Sequence, residues 1–227
     1  MPLAPGQLDR PARVGNTWLV TSGSPEGCPT IIGEYAARAV DYVRRALGME
    51  LEYDSETLPV LDHYLRTSPG AQPATLQLLA QTSGAYFGEV VRRRLGGRWD
   101  LTGGAAAPSW RVVLPSGLSF APAALVASAI LQADADDVDE DFDSALDAPA
   151  KMRPFVELAL ERMADVTVEC YYSLCGRLDT LEHLQEVLVA VAAQLRREGG
   201  IDSAAVPDDV GEADEGEAEP DERSEVN

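Results

Sequence analysis

Apolar residues along this 227-residue chain recur mostly at intervals of three and four, the spacing of one helical face. Pro29-Thr30 can open a first helix running to about Leu47, with Ala36, Ala39, Val43 and Leu47 as its inner stripe and Gly48 as its stop. A second helix starts near Asp54-Ser55, either of which can cap it, and turns Leu58, Leu61 and Leu65 inward. Ser68-Pro69-Gly70 ends it. A third is expected from about Pro73 to Leu95, with Leu76, Leu79, Phe87, Val90 and Val91 as core. Gly84 and Gly88 stand four apart inside it. A helix interior tolerates such glycines poorly unless another backbone must come close.

After Gly96-Gly97 the period changes. Arg98–Leu101, Trp110–Leu114 and Leu118–Phe120 are short β-prone pieces, and Pro115-Ser116-Gly117 is a turn signal between the last two. A hairpin is expected there, docked on the strip cleared by Gly84 and Gly88. Pro122 opens another helix, and one more follows from about Pro149 with Phe155, Ala159 and Met163 inward. Val166–Tyr172 mixes strand and helix preferences; it is read as helix ending at Gly176. The last helix spans about 179–198. Its Leu181, Leu184, Leu188, Val191 and Leu195 make two heptads, fewer than a coiled coil needs, so packing on the chain's own core is expected over a dimer seam. The fold class is therefore α+β, mainly helical with a small antiparallel sheet in the middle. Residues 1–30 read as an N-terminal arm in which Thr17–Val20 could form a strand. Residues 31–199 read as one globular domain carrying an acidic loop at 134–148. Residues 200–227 read as a disordered tail with too few apolar groups to offset the entropy of ordering it.

The net charge of −20 is unevenly placed. Residues 134–147 hold eight acids and no base, and residues 201–227 hold eleven acids and one base, so the remaining chain is close to neutral. Such segments oppose contact with nucleic-acid phosphates and favour a basic protein partner. No apolar run reaches the roughly 20 residues a membrane span needs. With no basic-then-apolar leader at the start, the expected location is the cytoplasm. Three cysteines, Cys28, Cys170 and Cys175, are too few and of the wrong parity for a disulfide framework. The preference for arginine over lysine, with abundant alanine, fits a GC-rich bacterial genome.

Three stretches between Tyr53 and about Ala133 carry a resemblance. They are Tyr53-Asp54-Ser55-Glu56-Thr57-Leu58, then Gly84-Ala85-Tyr86-Phe87-Gly88-Glu89-Val90-Val91-Arg92-Arg93, then Gly97-Arg98-Trp99. Together they resemble a domain of uncharacterised bacterial proteins. The resemblance implies a helix pair leading into a small sheet, carries no established activity, and hints at small accessory or immunity-like proteins.

Candidate chemistry is sparse. Glu89 stands on an otherwise apolar helix with Arg92 and Arg93 three and four residues later, within ion-pair reach. It is read as a structural carboxylate. The alternative is an enzyme using Glu89 with Tyr86 or Arg92 in a polar cleft. Cys170, Cys175 and His183 miss the close cysteine pair of a zinc site, and the acidic run lacks the glycine and terminal glutamate of a calcium loop. Asp62 and His63 are adjacent on a helix and point apart. No phosphate loop, nucleophile elbow or zinc-protease motif is present, so neither a metal nor a cofactor is expected. The expectation is a non-enzymatic protein-interaction module, an adaptor or neutraliser of a basic partner. It would be a monomer or a weak homodimer through the helix at 179–198.

Overall fold

The computed structural model describes residues 27–68, 72–104, 109–132, 146–163 and 167–197. Most of the arm, the acidic stretch up to residue 145 and the tail lie outside these ranges, as does the strand expected at Thr17–Val20. The elements are α1 (Thr30–Leu47), α2 (Leu58–Thr67, preceded by a 3-10 turn at Ser55–Thr57), α3 (Pro73–Leu95), β1 (Arg98–Asp100), β2 (Arg111–Val113), β3 (Ser119–Phe120), α4 (Pro122–Leu131), β4 (Leu146–Asp147), α5 (Arg153–Arg162), α6 (Val168–Tyr171) and α7 (Leu174–Arg197). The fold is α+β, mostly helical with a four-stranded antiparallel sheet.

The chain divides into two compact units after Leu188. In the first, α3 is the central element, packed on α1 along one side and α4 along another. It is not the one-sided helix its leucines predict. From Thr82 to Val91 every residue is buried, so the helix is enclosed all round and has little amphipathic character. Leu76, expected in the core, is only half-buried. Enclosure explains the glycines. A Cβ on Gly84 would lie 2.7 Å from the Ala123 Cα, and one on Gly88 would meet the Trp99 ring and lie 2.8 Å from Pro122 Cγ. The two glycines therefore admit the first turn of α4 and the Trp99 side chain of β1. The hairpin expected on this strip, β2 with β3, reaches α3 through Phe120 on Phe87, while the atoms nearest the two glycines belong to α4 and β1.

The sheet is a meander in the order β1-β2-β3-β4. Trp99 pairs with Val112, Val112 with Phe120, and Phe120 with Leu146, one continuous row across all four strands. Trp99, Val112 and Phe120 are buried, and the Phe120 ring meets Phe87 of α3 at 6.3 Å. Leu114 N–H donates to the Leu118 carbonyl to close the turn read at Pro115–Gly117. The fourth strand was not expected. The charge pattern places residues 146 and 147 at the end of the acidic loop, but Leu146 completes the apolar row and so draws this stretch onto β3.

Two further boundaries shift. The helix expected from about Pro149 starts at Arg153, after a turn closed by Met152 N–H on the Pro149 carbonyl. Gly176 does not end a helix; it lies in the first turn of α7, where a Cβ would strike the Cys170 carbonyl. Leu181, Leu184 and Leu188 are buried within the single chain. The second unit is described only over Val189–Arg197, the continuation of α7.

Gly84→Ala is expected to lower stability by about 1–3 kcal/mol in urea unfolding, because backbone and not a pliable side chain occupies the space. Gly33→Ala in α1, with nothing within 4 Å of the new methyl, is expected to raise it by about 0.5–1 kcal/mol. Equal effects at the two sites would contradict the close approach of α4.

Candidate functional site

Glu89 is carried by the enclosed part of α3 and is 1% exposed. A carboxylate so placed costs several kcal/mol unless its charge is answered. The sequence answers it locally first. Arg92, one turn on, grips it with two parallel bonds, Nε to Oε2 and Nη2 to Oε1, each 2.9 Å. Arg93 Nε donates to Oε1 at 2.7 Å. The fourth donor comes from the sheet: Trp99 Nε1–H reaches Oε2 at 3.1 Å. Burial alone would raise the Glu89 pKa, but the bonds from Arg92, Arg93 and Trp99 outweigh it and hold the group at about 2.

The surrounding groups lock to this centre. Arg93 lies over the Tyr53 ring at 4.5 Å. Tyr53 takes a left-handed backbone, φ 60°, uncommon for an aromatic residue. Its N–H donates to the Tyr86 hydroxyl at 2.9 Å, and the two rings stand 4.9 Å apart. Thr57 Oγ1 sits 2.8 Å from the same hydroxyl and 3.1 Å from the Asp54 carbonyl, while Asp54 Oδ1 accepts from Thr57 N–H. Tyr86 is thus spent on the loop before α2, and its hydroxyl is not a partner for Glu89. On the arm side, a Cβ on Gly27 would lie 3.2 Å from Arg92 Nη1, and the backbone there is left-handed at φ 86°. The neighbouring Cys28 is half-buried. Burial first, then the Glu89 charge, push its thiol up to about 11, which keeps it protonated at neutral pH.

The three stretches that carry the sequence resemblance meet here. Of the four candidate residues, the structure joins Glu89, Arg92 and Arg93 and places the Tyr86 hydroxyl in an adjacent network. Trp99 and Cys28 were not anticipated as Glu89 partners. Trp99 is ten residues away, on a different element, so no helical spacing reveals it.

A second buried carboxylate was also missed. Asp62 of α2 is 5% exposed. Its Oδ1 accepts from Leu174 N–H at 2.8 Å and its Oδ2 from Cys175 N–H at 3.4 Å. Ser173 Oγ accepts from Gly176 N–H at 2.9 Å. Asp62 and Ser173 together satisfy three of the amides that a helix start leaves free. Burial raises the Asp62 pKa, and these amide bonds oppose the rise. His63, its neighbour in sequence, is exposed. Cys175 is half-buried, with its thiol pushed up to about 12 by burial and by Asp62. Among the described residues no group of three or more histidine, cysteine, aspartate or glutamate side chains is placed to hold a metal ion. None of the described helices is long and apolar enough to cross a membrane. Comparison with protein-family models, curated proteins and solved structures finds no match to the chain.

Glu89→Gln keeps the shape and removes the charge that four donors from three residues face. A loss of about 3–5 kcal/mol at pH 7 is expected in chemical denaturation. Because the folded pKa lies below the ordinary 4.5, Glu89 contributes stability above pH 4.5 that is lost as the pH falls toward 2. The variant is therefore expected to show a shallower loss of stability across that window, and an unchanged pH slope would count against the pairing.

Asp62→Ala is expected to cost about 1–2 kcal/mol by stripping the α7 cap. Faster hydrogen exchange at Leu174 and Cys175 is the specific sign; unchanged protection there would show that the amides have another partner.

Proposed function

We propose that this protein is a non-enzymatic interaction module whose acidic segments engage a basic protein partner. The observation that carries the reading is the saturation of Glu89. The most suggestive ionisable residue of the chain already accepts four hydrogen bonds and is held at about 2, so it has neither a free lone pair aimed at a ligand nor the proton affinity of a general base at neutral pH. The alternative, Glu89 as the base of an enzyme with Tyr86 or Arg92, has this environment against it. Arg92 is committed to the same carboxylate and Tyr86 to the loop before α2. Cys28 and Cys175, with raised thiol pKa values, are poor nucleophiles.

Charge placement supports a partner of opposite sign. Nearly all of the excess acidity lies in 134–147 and 201–227, and a near-neutral body carries it. Such a distribution accelerates encounter with a basic surface and discourages phosphate-rich ones. The free thiols fit a reducing, cytoplasmic setting.

Affinity capture with the full chain, at low and at high salt, tests the reading. A basic partner is expected to be retained at low salt and released toward 0.5–1 M, where the screening length falls to roughly 3–4 Å. A chain whose acids in 134–143 and 202–225 are exchanged for asparagine and glutamine is expected to lose it. Retention of the same partner by the neutralised chain would overturn the proposal.

A further inference from the structure

Arg92 and Arg93 are both answered by the Glu89 carboxylate. Arg177, half-buried near the start of α7, is held by aromatic rings instead. Its guanidinium carbon lies 4.2 Å from the centre of the Tyr171 ring and 5.7 Å from that of Tyr172. The two rings stand at 87° to one another and so border the cation on two sides. Its Nε–H is shut off from solvent with no acceptor, and among the described residues Arg177 forms no ion pair. The acids around the start of α7 are otherwise placed. Asp179, two positions on, points to another side of the helix. Glu182 is bonded to Arg94, and Asp62 accepts from the amides of Leu174 and Cys175.

A ring face holds a cation but leaves its hydrogen-bonding capacity unused. The five N–H bonds of a guanidinium lie in its plane, so stacking on Tyr171 covers a face and spares the edge. With Nε enclosed, the open part of that edge is the outer pair, Nη1 and Nη2, whose spacing matches the two oxygens of a carboxylate. The stack also fixes the plane of the group, so little freedom is lost when the edge is engaged. The surface beside it is apolar and open. Tyr171 is 42% exposed and Val168, one turn earlier on α6, is 69% exposed. Charge decides between oxyanions: a chain of net charge −20 repels a dianion more strongly than a monoanion, and one guanidinium balances one carboxylate.

We propose that Arg177, Tyr171 and Val168 form a binding site for a single carboxylate carried on an apolar or aromatic body. The carboxylate meets the outer edge of the guanidinium, and the body lies on Tyr171 and Val168. The site is separate from the acidic segments, and neither reading depends on the other.

Benzoate, titrated into the full chain, is the first probe, with the Arg177 Nε–H and Tyr171 ring signals followed by NMR. A saturable shift of both is expected. Benzyl alcohol keeps the ring and lacks the charge; acetate keeps the charge and lacks the ring. Each is expected to bind at least about tenfold more weakly than benzoate. Arg177→Lys keeps the charge and removes the fork, and Tyr171→Ala removes an exposed ring that the fold does not need. Either is expected to weaken benzoate about tenfold, with circular dichroism unchanged. N-acetyl-phenylalanyl-glutamate amide distinguishes the source of the carboxylate. Tighter binding than benzoate assigns it to an acidic side chain of a protein, and weaker binding to a small aromatic acid. No saturable shift with either probe, equal binding of benzyl alcohol, or benzoate binding untouched by both substitutions overturns the site. Tighter binding of phenyl phosphate than of benzoate overturns the choice of a carboxylate.

Discussion

A carboxylate buried in an enclosed helix has to be answered, and the way Glu89 is answered organises much of the first unit. Its bonds to Arg92 and Arg93 stay within α3 and commit two arginines that would otherwise seek solvent. Its bond to Trp99 leaves the helix and pins the first strand, whose ring then covers Gly88. Arg93, fixed by the carboxylate, lies over Tyr53, and Tyr53 in turn leans on Tyr86. One negative charge thus links the helix, the sheet, the loop before α2 and the point where the arm joins at Cys28. A buried ion pair of this kind is weak evidence for stability in itself, since a well-packed apolar group would often do as well. What it supplies here is orientation: each donor has a required direction, which an apolar substitute would not impose.

Much of the architecture was legible because it rests on local patterns. The stripe Ala36, Ala39 and Val43, the Gly48 and Gly96 stops and the turn at Pro115–Gly117 are all short-range signals, and the elements appear where those signals place them. The enclosure of α3 was less visible. Its buried Thr82, Ser83, Gly84 and Ala85 add little apolar contrast, so the sequence resembles one face of a helix when all faces are covered. The β4 strand was hidden because two residues have no period, and they follow a run whose charge argues for solvent.

The site was legible to the same depth. Glu89 with Arg92 and Arg93 follows from helical spacing, whereas Trp99 and Cys28 depend on how β1 and the arm fold back. Asp62 was beyond reach for a related reason. Its acceptors serve amides 112 and 113 positions later, and nothing in a helix that reads simply as Leu58, Leu61 and Leu65 facing inward marks the residue between them as a cap. The Trp99 bond to Glu89 and the amide bonds to Asp62 both come from other elements, where neighbours in sequence carry no information about the partner.

That cap has a consequence for the order of assembly. The amides opening α7 find their acceptor on α2, more than half the described chain earlier, and Gly176 is shaped to let the Cys170 carbonyl press against the same turn. Loop closure over such a span must be completed before the contact returns any stability, which places it among the slow, topology-limited steps of folding. During synthesis the α1–α4 region leaves the ribosome with the Asp62 carboxylate still without these partners. It acquires its two N–H donors only when the last helix arrives to seal that face.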